Sequence, residues 1–143
     1  MRIMHLNKKM ALENINRLIE IDRIILDDPW TEDNFLMELK GKWEYSLVAL
    51  ENTNIVGFVI CSVKGENLHI HRLAVAPKYQ KRGIGAALLE HLFTNSDQLK
   101  YITVKTRKCN TNAQKFYERW GFKRIGTEGP NYVYKREIAW KRR

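Results

Sequence analysis

Two short stretches of this sequence hold residues suited to chemistry. The first is Gln80-Lys81-Arg82-Gly83-Ile84-Gly85-Ala86. Glycines at 83 and 85 let the backbone come close to a ligand with no side chain between them. A helix starting just after them adds free N–H groups and the positive end of its dipole. Lys81 and Arg82 add charge, so the ligand this loop suits is a phosphate or pyrophosphate. Gly-x-Gly alone is equally compatible with a tight turn and close helix packing. The Walker pattern is absent, and Leu88 stands where the dinucleotide fingerprint needs its third small residue. The second stretch is His69-Ile70-His71. Two histidines two apart face one side of a strand, and imidazole is the group that moves protons near neutral pH. The plainer alternative is an ordinary pair on a solvent face; two histidines alone make no metal site.

These residues need elements to position them. Residues 1–6 alternate like a short strand. Leu12, Ile15, Leu18, Ile19 and Ile25 fall close to helical spacing over 8–25, and Asp27-Asp28-Pro29 ends that helix. Thr31 caps a second helix, 31–40, with Phe35, Leu36 and Leu39 on one side. Strands over 44–50, 55–63 and 68–75, separated by polar turns, predict an antiparallel meander. A loop from Pro77 leads to a helix over 84–94, then a strand over 102–106. Asn110 or Thr111 opens a helix that Gly121 ends, and a hairpin over 122–127 and 131–139 closes the chain. The order β-α-α-β-β-β-α-β-α-β-β is a mixed α/β domain, expected to occupy residues 1–143 as one unit.

In this context the loop acquires a family. Leu73-Ala74-Val75-Ala76-Pro77-Lys78-Tyr79, running on through the glycine loop to Leu89, resembles motif A of the GNAT acetyltransferase superfamily, with its Q/R-x-x-G-x-G/A loop. Asn110, Ala113 and Phe116-Tyr117-Glu118-Arg119-Trp120-Gly121-Phe122 resemble its N-x-x-A-x-x-F/L-Y-x-x-x-G-F motif B, in the right order and separation. The resemblance covers nearly the whole chain, best over residues 55–125, and it implies the acyl-CoA N-acyltransferase fold with a splayed central sheet. It implies acetyl-CoA as co-substrate, with the pantetheine arm along Leu73, Ala74 and Val75. The pyrophosphate would lie on the amides around Gln80, Lys81, Arg82, Gly83, Ile84, Gly85 and Ala86. Asn110, Ala113, Phe116 and Tyr117 would stand beside the cofactor, although Phe116 also suits a plain core.

The resemblance further implies a reaction, transfer of acetyl to a primary amine. The amine must lose a proton and the departing thiolate should gain one. Tyr117 takes the place of the family's general acid; a core tyrosine is the alternative. His69-Ile70-His71 is similar to the His-x-His segment of serotonin N-acetyltransferase, and His69 stands where histone acetyltransferases of this superfamily carry a glutamate base. The bacterial ribosomal-protein N-terminal acetyltransferases carry a glutamate on the next strand, in a stretch like L-E-V-R-x-x-N. Here Lys105 replaces it, and a lysine is a poor base unless strongly desolvated. Asp28-Pro29-Trp30-Thr31-Glu32-Asp33-Asn34-Phe35 nevertheless resembles that subfamily's P-W-[ST]-x-x-x-F segment, placing Trp30 and Glu32 beside the acceptor. A core-anchoring Trp in a Pro-turn fits that segment as well. The acceptor is thus expected to be a protein or peptide N-terminal α-amine or a lysine. The alternatives are a small amine, such as an arylalkylamine, polyamine, amino acid or drug, or a non-catalytic acetyl-CoA sensor.

Composition sets the bounds. A chain of 143 residues, 44% hydrophobic, is long enough for one real core. It shows no membrane span and no secretory leader, which predicts a cytoplasmic protein. Cys61 and Cys109 are spaced neither as a metal site nor as a redox pair, so no metal is expected. The net charge of +9 suits an anionic partner. The basic residues are scattered apart from Lys135-Arg136 and Lys141-Arg142-Arg143, and no nucleic-acid-binding motif accompanies them. The strand-rich C-terminal half leaves both a monomer and a homodimer open.

Overall fold

Polar side chains set where the N-terminal helices begin and end. The computed structural model describes residues 1–139; the tail Lys141-Arg142-Arg143 lies outside the described residues. After strand β1 (Arg2–His5), Asn7 accepts from the Met10 amide and opens α1 (Lys8–Glu13). The helix expected over 8–25 is divided at Asn14, whose backbone leaves the helical region at φ −118° and ψ 22°. Its backbone N–H and side-chain amide both bond the Met10 carbonyl, at 3.0 and 2.9 Å, and α2 (Ile15–Ile25) starts afresh. Leu12, expected in the apolar stripe, is left 50% exposed, and Ala11 is buried instead. Thr31 and Asn34 form a capping box at the start of α3 (Glu32–Leu36). That helix stops short of residue 40. The Lys42 ammonium takes the carbonyls of Asn34, Phe35 and Met37 at 3.3, 2.6 and 2.8 Å, closing its C-terminal end. Residues 44–45, expected as strand, instead belong to a single turn, α4 (Lys42–Tyr45). Gly41 leads into it at φ 72°, where a Cβ would meet Val63 Cγ2 at 2.5 Å.

The remaining elements follow the predicted order. They are β2 (Leu47–Glu51), β3 (Asn54–Lys64), β4 (Asn67–Val75), α5 (Ile84–Asn95), β5 (Tyr101–Arg107), α6 (Thr111–Arg119), β6 (Lys123–Glu128) and β7 (Asn131–Glu137). The seven strands form one sheet in the order β1-β2-β3-β4-β5-β7-β6. Every neighbouring pair is antiparallel except β4 with β5. One face carries Leu88, Leu89 and Leu92 of α5 and Tyr117 of α6 over Leu68, Ile70, Ile102 and Val104. The other packs Leu18, Ile21 and Phe35 over Val48, Phe58 and Ile60. Among the described residues no helix is long and apolar enough to cross a membrane.

The parallel pair is what makes a site. β4 and β5 are in register only from Asn67↔Tyr101 to Ile70↔Val104. At that point β4 carries a bulge: Ile70 pairs with Cys61 and Arg72 with Ile60, so His71 is the extra residue. A bulge bends its strand and increases its twist, and beyond it β4 and β5 separate. The Ala76 amide reaches the Val56 carbonyl on the β3 side at 2.8 Å. By alternation Ala74 also points to β3, which turns the backbone groups of Leu73 and Val75 into the gap.

Candidate active site

The gap between the parted strands is a cleft of about 870 Å³. It brings together Trp30, His69, His71, Leu73, Ala74 and Val75 with Gln80, Gly85, Asn110, Ala113, Phe116 and Tyr117. Of the residues singled out in the sequence, Lys81, Arg82, Gly83, Ile84 and Ala86 sit at or beside the turn into α5 and do not line the cleft itself. Glu32 does not reach it either; it is exposed in the first turn of α3.

One end of the cleft is built for an anion. Lys81 and Gly83 both adopt left-handed backbone, φ 64° and 78°, just before the α5 N-terminus. Such turns gather N–H groups into a concave nest. No acidic residue occupies the first turn of α5, and a Cβ built on Gly83 meets nothing within 4 Å. Arg82 stacks over Tyr79 at 5.0 Å, and Gln80 Nε2 donates to the Val75 carbonyl at 3.0 Å. Asn110 turns its own Oδ1 to the Ala113 amide at 3.1 Å, capping α6. The buried Thr106 hydroxyl, in the cleft wall, has no hydrogen-bond partner among the described residues. Unpaired backbone, an open nest and an orphaned hydroxyl along one gap fit a long amide-bearing phosphoester such as coenzyme A.

The other end holds the titratable groups. Tyr117 is packed between Phe116 and Phe122, each with ring centroids 5.2 Å away. Burial pushes its phenol well above the ordinary value, so it stays protonated. The rings of His69 and His71 lie 4.9 Å apart at 83°. Both are half-buried, which sets aside the solvent-face alternative. Desolvation first, then the charges of His71 and Lys105, push His69 down to about 4. Desolvation and Lys42 lower His71 as well. Both rings are therefore neutral at pH 7. Lys105, at the position where the resembling subfamily carries a glutamate, is paired with Glu128 of β6 at 2.7 Å.

A buried ion pair fixes the wall opposite. Asp22 of α2 is fully buried and receives Arg72 of β4 through Nε at 2.9 Å and Nη2 at 2.8 Å. Asp22 also accepts the Trp30 amide at 2.8 Å, and Arg72 donates to the Asp28 carbonyl at 2.8 Å. The loop before α3 is thereby strapped to the strand that carries the histidines. Trp30 meets His71 at 6.1 Å and Phe35 edge-on at 5.2 Å.

Against known proteins, the model of the acetyltransferase (GNAT) family matches residues 13–122. The chain belongs to the GNAT acetyltransferase family. The ribosomal protein bS18-alanine N-acetyltransferase of Haemophilus ducreyi is 33% identical over 116 residues, 79% of this chain and 79% of that relative. The crystal structure of the ribosomal-protein-S18-alanine N-acetyltransferase from Escherichia coli shares the fold. Its TM-score is 0.80, with 22% identity over 98% of this chain and 95% of that one. So does Arabidopsis thaliana Naa50 in complex with the bisubstrate analogue CoA-Ac-MVNAL, at TM-score 0.76 and 22% identity over 94% and 97%.

Four residues of this acetyltransferase's site were not singled out in the sequence. Asp22 had a visible signal, an acidic residue inside the apolar spacing of Leu18, Ile21 and Ile25. Arg72 had none, nor had Ser62, whose hydroxyl lies 2.7 Å from His71 Nε2, or Thr103, whose hydroxyl lies 2.8 Å from His69 Nδ1; nothing local distinguishes them from other strand polar residues. Of the cysteines, Cys61 is buried with its thiol pushed up to about 12, and Cys109 is exposed; both are free.

Proposed function

We propose that this GNAT enzyme transfers acetyl from acetyl-CoA to the α-amine of a protein or peptide N-terminus. Acetyl-CoA supplies the thioester carbonyl. The turn before α5 takes its pyrophosphate, and the backbone of Leu73 and Val75 holds its pantetheine amides. Trp30 and the strapped loop border the acceptor. The amine nitrogen attacks the carbonyl while its proton passes to the histidine pair, directly or through a water. The C–S bond breaks, and the phenol of Tyr117 gives its proton to the departing sulfur.

The observation that carries the choice of acceptor is the weakness of the available bases, two neutral imidazoles with lowered basicity and no free carboxylate where Lys105 stands. An α-amine loses its proton near ~8, about 2.5 units below a lysine side chain. A weak base suffices for the first and is badly matched to the second. The similarity to bS18-alanine N-acetyltransferases agrees with this reading.

The test is a panel with acetyl-CoA. It comprises peptides with a free N-terminus and no lysine, N-terminally blocked peptides with one lysine, polyamines and arylalkylamines. Thiol release and product mass are read together. Acetylation confined to the free N-termini is expected. Turnover only on lysine or on small amines overturns the acceptor; failure to bind acetyl-CoA at all overturns the reading.

A further inference from the structure

The two histidines are held differently, and this inference rests on the proton-accepting role just proposed for the pair. Asn67 Nδ2 donates to Thr103 Oγ1 at 2.8 Å, and the same oxygen lies 2.8 Å from His69 Nδ1. An amide nitrogen can only donate, and a hydroxyl has a single proton. In this orientation Asn67 supplies one proton to the oxygen and leaves its own Oδ1 buried without a partner among the described residues. The hydroxyl has no other acceptor within reach among those residues, so its hydrogen is directed at His69 Nδ1. That nitrogen is then the acceptor, and the neutral ring carries its own proton on Nε2. The reversed amide would instead make Thr103 accept from a protonated Nδ1, an outcome that the histidine spectrum separates. On the other side of β4, His71 Nε2 lies 2.7 Å from Ser62 Oγ. No donor comparable to Asn67 is seen on the Ser62 hydroxyl among the described residues. That hydroxyl can give or take a hydrogen, so His71 can hold its proton on either nitrogen.

We infer that the pair divides its work: His69 is fixed as an N–H donor, and His71 is the residue that takes the amine's proton. Asn67 and Thr103 are positioning residues that keep His69 out of the base role. The bulge supports the division, since it places His71 where the strands part and leaves His69 in the last paired stretch. The charges facing the rings are Lys105 of β5, Lys64 of β3 and Glu128 of β6 around His69, and Lys42 of α4, Arg72 of β4 and Lys105 around His71. Desolvation first, and the predominance of cations second, leave both rings neutral, and the hydrogen bonds decide which nitrogen has a lone pair to offer. In the step itself, the amine's proton moves to the unprotonated nitrogen of His71. The sulfur takes the proton of Tyr117; the imidazolium then gives up the amine's proton through solvent and the Tyr117 phenolate takes one back, so no net proton is lost and the site is restored.

Long-range 1H–15N correlation of the histidine side chains in the free wild-type protein near pH 7.5 tests the tautomer without any turnover. An unprotonated Nδ1 and a protonated Nε2 on His69 are expected; a protonated Nδ1 overturns the inference. Asn67→Asp replaces the donor with an acceptor. It should draw the hydroxyl hydrogen to itself, move the His69 proton to Nδ1 and raise the His69 pKa; an unchanged tautomer overturns the chain of bonds. In kinetics, His71→Gln should lower kcat about a hundredfold and abolish the fall of kcat towards acid, leaving the acceptor amine's own ionisation near ~8 in kcat/KM. His69→Gln should keep that fall and raise the acceptor KM several-fold. The reverse pattern assigns the base to His69 and overturns the division. Thermal unfolding of each variant checks that it is folded. If no amine is acetylated by the wild type, the proposed function fails, while the spectrum still decides the tautomer.

Discussion

At the scale of single residues, burial sets what each group of the site can do. Tyr117 is enclosed by two aromatic rings and kept protonated, so its phenol donates across the whole physiological range. Tyr117→Phe keeps the packing and removes the proton. The expected result is a fall in kcat of about a hundredfold with acetyl-CoA affinity unchanged, measured by steady-state thiol release and calorimetry. Asp22 has a different task. It has no access to solvent and neutralises Arg72 with two hydrogen bonds. Asp22→Ala leaves a guanidinium facing an apolar wall, a loss of about 3–5 kcal/mol for a broken buried pair. A shift of the urea midpoint of that order is expected; an unchanged midpoint would show that water reaches Arg72.

At the scale of elements, the turn before α5 is the part that local rules fix most tightly. Gly83 is at φ 78° with open space where a Cβ would go, so its only demand is on the backbone. Gly83→Ala should cost about 1–2 kcal/mol, read as a lowered Tm, with no clash to confuse the result. The same locality explains what the sequence discloses. Gly83, Asn110 and Thr31 mark helix starts through their own neighbours, and all three helices start where they were expected. The meander was legible from alternation and turn residues. The division of 8–25 was not, because it rests on one residue, Asn14, leaving helical backbone within a stretch that periodicity alone would continue. Nor was the early end of α3, which depends on a lysine ammonium arriving from the next turn. The strap between Asp22 and Arg72 joins positions fifty residues apart, a pairing that no local pattern encodes.

For the whole molecule, the site's neutral histidine is also a stability device. His69 is held at about 4, below its ordinary 6.5. Between those values the unfolded chain binds a proton that the folded one refuses. The contribution is therefore complete above about 6.5 and is lost as pH falls towards 4. Urea midpoints across that window should decline in the wild type and decline less in His69→Gln, which has no proton to gain. Equal slopes would place the acid sensitivity elsewhere in the chain.

The parting of β4 from β5 leaves an interior seam in an otherwise closed ladder. Leu73 and Val75 offer amides to that seam with no strand opposite them, whereas Asn67 to Ile70 face β5 in register. In the free protein these two amides should trade hydrogen for deuterium far faster than their neighbours on the paired stretch. A ligand lying in the gap would stand in for the missing strand and slow them. The sheet thus carries its own gauge of occupancy: a mass-resolved exchange experiment on the peptide covering 71–76, with and without acetyl-CoA, reads how far the substitute strand reaches. Protection confined to Val75 would mark a short grip near the turn, and protection through Leu73 would mark one that extends to the histidines.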